Sequence, residues 1–166
     1  MHSIALDAVD IHILDVLQRH GRISNLELAE RVALSPSACL RRTKILEERG
    51  IIGRYAAHLS AEALGLMLEA FVHVSMRNDV PNWHETFTAA MEGWLEIVSA
   101  YVITGDSHYL LRVIAPDLKH FSAFILNKLY KAPGVMDIRS NIVLQAVKDT
   151  PGAPVGLIRL ANTAAS

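Results

Sequence analysis

Three helix starts follow one another within the first 36 residues, and they constrain the fold more than any other feature of the chain. Each begins at a residue whose side chain can accept a hydrogen bond from the first turn: Asp7, Ser24 and Ser35. Ser24 and Glu27 also have the spacing of a capping box. Only two residues separate the second predicted helix from Ser35, so the two helices must meet at a tight turn. Because such short helices cannot bury their apolar stripes alone, the pattern predicts a helix-turn-helix unit.

The third predicted helix, from Ser35 to Gly50, has two different faces. Pro36 suits its first turn and Gly50 suits a left-handed exit. Cys39 and Leu46 recur at the spacing of one helical face, which we expect to be buried. The opposite face is small near its start and cationic further on: Ser37, Ala38, Arg41, Lys44 and Ile45.

Positive charge is concentrated around this helix. The whole chain has a formal net charge of −1, which does not favour a general polyanion binder. Residues 35–54 nevertheless carry five cationic and two acidic side chains, whereas residues 61–166 carry eight cationic and ten acidic ones. The helix can therefore present positive charge to phosphates, although an ordinary solvated helix face would show the same pattern.

Composition excludes several other classes of protein. With 166 residues and 51% hydrophobic content, the chain can form one ordinary domain or two small ones. No apolar run approaches the ~18 residues of a membrane span, and the acidic N-terminus does not resemble a secretion signal, so we expect a cytoplasmic protein. The single cysteine, Cys39, is expected to be a buried thiol. The eight histidines show no metal-ligand spacing and no catalytic motif is present, so we expect no metal, no cofactor and no enzyme.

A different pattern begins after Gly50. We expect a helix-turn-helix domain over residues 1–50, an extended linker over 51–65, a second domain over 66–148 and a loosely ordered tail over 149–166. Strand patterns and helical stripes alternate in the second domain, with strands at 66–77, 95–104, 109–115 and 135–147 and helices at 81–94 and 118–129. The order βαββαβ predicts a ferredoxin-like sandwich, so the whole chain is expected to be α+β.

The predicted sheet has both helices on one side, which leaves its other face open. Apolar residues occur on both faces of the strands taken together: Phe71, Ile97, Tyr101, Ile103, Ile138, Ile142 and Leu144. An open face of this kind would expose a large hydrophobic patch, and an identical sheet could cover it. We therefore expect at least a twofold dimer through this domain.

Several separate blocks of the sequence resemble the leucine-responsive and asparagine regulators, the Lrp/AsnC family. They are Leu6-Asp7 with Asp10 and Ile13-Leu14, Gly21 to Asn25 with Glu27 to Ala29, Leu34 to Ser37 with Cys39 to Arg42, Leu46-Glu47 with Gly50 to Ile52, Thr104 to Asp106 with Tyr109 to Leu111, and Pro133 to Val135. The resemblance spans nearly all of residues 4–148. It implies a winged helix-turn-helix, a ligand-sensing sandwich, dimers that assemble further into octamers or other rings, and amino acids bound between neighbouring dimers.

The third helix is the predicted DNA-reading element. Ser37, Ala38 and Arg41 are placed to face bases, with Arg41 making a bidentate contact to guanine. The remaining DNA-contact candidates, most of them expected to hold phosphates, are Arg22, Ser35, Pro36, Arg42, Lys44 and Arg54. For Arg42, an internal salt bridge to Glu47 or Asp15 is an equal alternative.

The segment Gly105-Asp106-Ser107-His108 reads on its own as a hairpin turn. The resemblance implies that it holds the effector, with backbone groups near Gly105 meeting an α-carboxylate and Asp106 an α-ammonium. The effector contacts it suggests are Tyr101, Thr104, Gly105, Asp106, His108 and Ser140. His108 stands where relatives commonly have an acid. Ser140 is either a ligand contact or a small hydroxyl tolerated in a strand.

Together these patterns predict a sequence-specific regulator of transcription in amino-acid metabolism, modulated by an effector that is an amino acid or a similar small molecule. Its expected partners are double-stranded DNA and further copies of itself. A structural alternative is an architectural protein that wraps DNA without an effector. A small enzyme built on the sandwich is a third possibility, which the missing catalytic residues disfavour.

Overall fold

The computed structural model describes residues 6–77, 81–149 and 152–158. The chain divides into two compact units. The helical unit comprises Met1–His58 with Lys148–Ser166, and the sheet unit comprises Leu59–Val147. The chain therefore leaves the helical unit once and returns to it near its end.

Helices α1 (Ala8–Arg19), α2 (Asn25–Arg31) and α3 (Pro36–Glu48) form the helical unit. Each begins at the cap that the sequence predicts. Asp7 accepts a hydrogen bond from the backbone of Asp10 at 2.8 Å, and Ser24 and Glu27 form the reciprocal capping box. Residues 51–60 contain no strand, and a 3₁₀ turn at Glu62–Leu64 belongs to the sheet unit.

The turn between α2 and α3 places a non-glycine residue in the left-handed region. Ala33 has a φ of 55°, a conformation that costs free energy for any residue with a Cβ. The backbone N–H of Leu34 donates to the carbonyl of Ala29 at 2.9 Å, which closes the turn. This turn sets α3 at its angle to α2, as the helix-turn-helix prediction requires.

The core of the helical unit includes a residue from near the end of the chain. The stripes of the three helices meet there, and Val155 is buried with them; the buried residues are Ile11, Ile13, Leu14, Val16, Leu28, Ala29, Val32, Cys39, Leu46 and Val155. Ile158 packs against the same cluster. Residues 152–158 are thus not the loosely ordered tail expected from their prolines and glycines, because two apolar side chains anchor them. The rest of the predicted tail from 159 onwards lies outside the described residues.

The sheet unit is a four-stranded antiparallel sheet with helices on one face. Its elements are β1 (Leu68–Met76), α4 (Trp83–Met91), β2 (Ile97–Val102), β3 (Tyr109–Ala115), α5 (Leu118–Asn127), a 3₁₀ turn at Leu129–Lys131, and β4 (Val135–Ile142). The strand order is β2-β3-β1-β4, which confirms the ferredoxin-like prediction. The second and fourth strands are shorter than the sequence suggests.

The strand register shows which side chains face the helices. Val72 and Val74 of β1 are fully buried in one cluster with Phe87 of α4 and Phe124 of α5. Ile97 and Ile138 pack against this cluster, so they do not belong to the open face. The open face is mixed. Phe71 lies on it, and a salt bridge joins Arg112 to Glu69 with 2.7 Å between the nitrogen and oxygen.

Candidate nucleic-acid interface and ligand groove

The first turn of α3 is fixed by contacts on both sides. The hydroxyl of Ser35 accepts a hydrogen bond from the backbone N–H of Ala38 at 3.3 Å. The side-chain amide of Asn25, at the start of α2, donates to the carbonyl of Pro36 at 2.9 Å. Because α2 holds the beginning of α3 in this way, the side chains of that turn project from a defined position.

The outward face of α3 matches the sequence prediction. Ser37, Arg41 and Lys44 are exposed, while Ala38 and Ile45 are half-buried. Neither Arg41 nor Lys44 forms a salt bridge with any residue in the described part of the chain. Their charges are therefore available to an anionic partner.

Arg42 lies on the other side of α3 and contacts α1. Its Nη1 donates to Oδ2 of Asp7 and to Oδ1 of Asp10, both at 2.7 Å. The hydrogen bond from the backbone of Asp10, together with those from Arg42, lowers the pKa of Asp7. Arg42 therefore joins α3 to α1. The salt-bridge alternative describes it, although its partners are Asp7 and Asp10, and not Glu47 or Asp15.

Three further arginines surround the helix. Arg22 and Arg54 are exposed but lie outside α3. Arg49, which the sequence analysis did not select, lines a depression of about 200 Å³ together with Arg41 and Arg42. Its place at the C-terminal end of α3, in line with the other cations, is the signal that could have identified it.

A tyrosine fixes the chain just after α3. The hydroxyl of Tyr55 donates to Oε1 of Glu47 at 2.9 Å. Burial, followed by the neighbouring Glu47 carboxylate, raises the pKa of Tyr55 to about 12. The hydroxyl therefore stays protonated and keeps donating throughout the neutral range.

In the sheet unit, the loop between β2 and β3 is tied to β1. The N–H of Ile103 donates to the carbonyl of His108 at 3.1 Å, and the N–H of His108 donates to the carbonyl of Val74 at 2.9 Å. The hydroxyl of Ser75 donates to the carbonyl of Asp106 at 3.2 Å. Gly105 has a φ of 112°, which only glycine adopts readily. The loop is thus held in one conformation.

His108 is turned toward the helix layer. Its Nδ1 accepts a hydrogen bond from the backbone N–H of Met76 at 3.1 Å, and its ring meets the edge of Trp83 with 5.2 Å between centroids. The predicted direct role of His108 in holding an effector is not supported by this position. The side chain supports the loop from behind.

A groove of about 350 Å³ lies beside the loop on the open face. It is lined by His73, Ile103, Thr104, Asp106, Ser107, Arg139 and Asn141. Thr104 and Asp106 were predicted from the sequence, whereas the residues from β1 and β4 were not. Their strand alternation, which places His73 and Arg139 directly opposite each other, is the only signal the sequence holds for them.

Three predicted effector contacts lie outside this lining. Tyr101 is exposed on the open face, opposite Leu110. Gly105 contributes backbone conformation only. Ser140 pairs with Val72, whose side chain is buried beneath the helices, so Ser140 points to the face opposite the groove. Its neighbours Arg139 and Asn141 take the place that the prediction gave to Ser140.

Other kinds of site were sought in the same residues. Within the described ranges, no group of three or more His, Cys, Asp or Glu side chains could hold a metal ion. Cys39 is fully buried, and burial raises the pKa of its thiol, as expected for a core cysteine. No helix in the described part of the chain is long and apolar enough to cross a membrane.

Comparison with known proteins agrees with both sites. The profile of the Lrp/AsnC ligand binding domain matches residues 69–153, and that of a winged helix-turn-helix DNA-binding domain matches residues 6–52. The chain belongs to the Lrp/AsnC family. It is accordingly a DNA-binding regulator of transcription and not an enzyme.

Individual Lrp/AsnC proteins resemble the chain over most of its length. The leucine-responsive regulatory protein of Haemophilus influenzae is 40% identical over 146 residues, which is 88% of each chain. A transcriptional regulator from Neisseria meningitidis, solved with L-methionine, superposes with a TM-score of 0.89 at 45% identity, covering 93% of this chain and 99% of that one. A feast or famine regulatory protein from Mycobacterium tuberculosis, also complexed with L-methionine, gives a TM-score of 0.78 at 30% identity, with coverage of 90% and 99%.

Proposed function

We propose that this regulator reads operator DNA with α3 and responds to an amino acid held at the loop between β2 and β3. The observation that carries the first half is the outward face of α3, where Arg41 and Lys44 are exposed and have no salt-bridge partner in the described residues. A cationic helix that projects from a fixed turn fits the major groove of a duplex.

Contacts with DNA divide into two kinds. Ser37, Ala38 and Arg41 face the bases, and Arg41 forms the bidentate pair with guanine. Ser35, Lys44, Arg22 and Arg54 contact phosphates, with Pro36 beside them at the start of the helix. Arg42 is a positioning residue, because its guanidinium is engaged by Asp7 and Asp10.

The functional form is a dimer, or a ring of dimers such as an octamer, acting in the cytoplasm. Support comes from the open face of the sheet, where large side chains such as Phe71 and Tyr101 remain exposed in a single chain. A second sheet packed there would bury them. Twofold symmetry then requires pseudo-palindromic operators with half-sites separated by whole helical turns.

The effector half of the proposal rests on the shape of the loop and on two relatives. Gly105 leaves backbone groups accessible to an α-carboxylate, and the carboxylate of Asp106 lines the groove. The solved relatives from Neisseria meningitidis and Mycobacterium tuberculosis both carry L-methionine. An effector changes DNA binding only if its affinity differs between two arrangements of the copies.

The test begins with selection of duplexes from a random library by the full chain. Arg41→Ala should weaken binding to the selected operator by about 1–3 kcal/mol and relax one base preference, as measured by fluorescence anisotropy. Arg19→Ala is the matched control, because Arg19 is exposed on α1 and paired with Asp15.

Three results would contradict parts of the proposal. Unchanged operator binding by Arg41→Ala would remove α3 from the reading surface. A monomer that persists at high concentration in analytical ultracentrifugation would end the dimer. Absence of any thermal shift with all twenty amino acids would end the effector half and favour an architectural protein.

A further inference from the structure

We propose that the groove beside the β2–β3 loop selects amino acids whose side chain ends in a carboxyl or carboxamide group. This inference rests on the proposed function, because it takes this loop as the effector site. It adds the part of the ligand that the groove itself discriminates.

The wall of the groove is rigid enough to select. Asp106 is fixed through its carbonyl by the hydroxyl of Ser75, at 3.2 Å, and the next residues are held by backbone hydrogen bonds from His108 to Val74 and from Met76 to His108. The Asp106 side chain forms no salt bridge with another described residue, so its carboxylate is available to a cation. The α-ammonium group of an amino acid is such a cation.

The opposite wall is made of hydrogen-bond donors. Arg139 and Asn141 lie two positions apart on β4, on the same side of the sheet as His73 of β1. The guanidinium of Arg139 is 70% exposed, and its described salt bridge, to Asp137, is a long one at 3.3 Å. It has free donors for a second carboxylate.

These two walls divide an amino acid between them. The loop backbone and Asp106 take the α-carboxylate and α-ammonium groups, so Arg139, Asn141 and His73 meet the side chain. An oxygen there gains charge-assisted hydrogen bonds. An aliphatic side chain would cover these donors without replacing the water they lose, which costs free energy. Ile103 is the only apolar residue among the lining side chains in the described part of the chain.

The experiment is calorimetric titration of the full chain with L-aspartate, L-glutamate, L-asparagine and L-glutamine, and separately with L-leucine, L-methionine and L-valine. The best of the first group should bind at least about tenfold more tightly than the best of the second. Arg139→Gln should abolish the preference for an acid over its amide. Asn141→Leu should shift selectivity toward the aliphatic group.

Lys119→Gln is the control for the change of charge, because Lys119 is an exposed cation of α5, outside the groove lining. It should leave the ratios unchanged. Tighter binding of leucine, methionine or valine by the parent chain, or unchanged ratios in Arg139→Gln, would overturn this inference and leave the proposed function standing. Operator binding with no response to any amino acid would overturn both the inference and the effector half of the proposed function, while the DNA-reading half would remain.

Discussion

The two candidate sites are built in opposite ways. The DNA-facing surface comes from one run of residues, 35–49, held by the regular geometry of α3. The groove comes from three separate stretches, around His73, residues 103–107 and Arg139, which strand pairing brings together. A helix face can be read along a sequence, whereas a groove between strands depends on register that the sequence specifies only through the whole sheet.

The two units also differ in what closes their cores. The helical unit closes over short aliphatic side chains such as Leu46, while the sheet unit encloses a group of rings around Phe87, Trp94 and Tyr109. Both tryptophans, Trp83 and Trp94, belong to the sheet unit. Tryptophan fluorescence therefore follows the unfolding of that unit alone, and circular dichroism follows both.

The largest expected effect separates the units by stability. Leu46 is only 2% exposed, so Leu46→Ala should lower the free energy of unfolding of the helical unit by about 2–5 kcal/mol through lost packing and a cavity. Denaturant unfolding should show the loss by circular dichroism and leave the fluorescence transition in place. Leu40→Ala on the same helix is the control, since Leu40 is 46% exposed. A matching shift in fluorescence would mean that the units unfold together.

A smaller effect concerns a buried carboxylate in the sheet unit. Glu96 accepts hydrogen bonds from Lys128 at 2.7 Å and from His120 at 3.3 Å, and its Oε2 has no partner among the described residues. Burial acts to raise the pKa of Glu96, but the hydrogen bond from Lys128 outweighs it and the pKa is lowered. Lys128→Met should cost about 1–3 kcal/mol of unfolding free energy near neutral pH.

The pH dependence of that effect has a defined sign. A lowered carboxyl pKa contributes stability above the ordinary pKa of glutamate, and the contribution is lost as the pH falls through the folded value. The fluorescence-detected stability of the parent chain should therefore drop in acid, and Lys128→Met should reduce this drop. Lys131→Met, at an exposed lysine nearby, should leave it intact. Equal acid dependence in all three chains would show that Glu96 is not the group responsible.

The smallest effect distinguishes two cations on α3. Lys44→Ala should lower the salt dependence of operator binding by about one unit of slope, because one phosphate contact is lost. Arg42→Ala should leave the slope unchanged, since Arg42 is paired with Asp7 and Asp10. The measurement is binding affinity against salt concentration for both variants. Equal slopes would contradict the separate roles given to these neighbours.

Local signals account for most of what could be predicted. The caps at Asp7, Ser24 and Ser35, the faces of α3 and the strand order all follow from short-range patterns. Thr104 and Asp106 were found because glycine marks the turn beside them. The partners of Arg42, on a helix more than thirty residues earlier, were not found.

Long-range packing accounts for the rest. His108 faces the helix layer because the end of β1 offers a backbone N–H there, and Ser140 lies away from the groove because of its pairing with Val72. Neither fact has a signature within a few residues of the position concerned. The burial of Val155 is of the same kind, because proline and glycine around it suggest a loop.

The buried position of Val155 has a consequence for how the protein is made. A chain emerging from the ribosome presents α1, α2 and α3 first, yet the hydrophobic cluster they form includes a residue 155 positions along. The helical unit therefore completes its packing only after synthesis of the sheet unit has ended. The nascent regulator cannot finish its DNA-binding end before its sensing end exists.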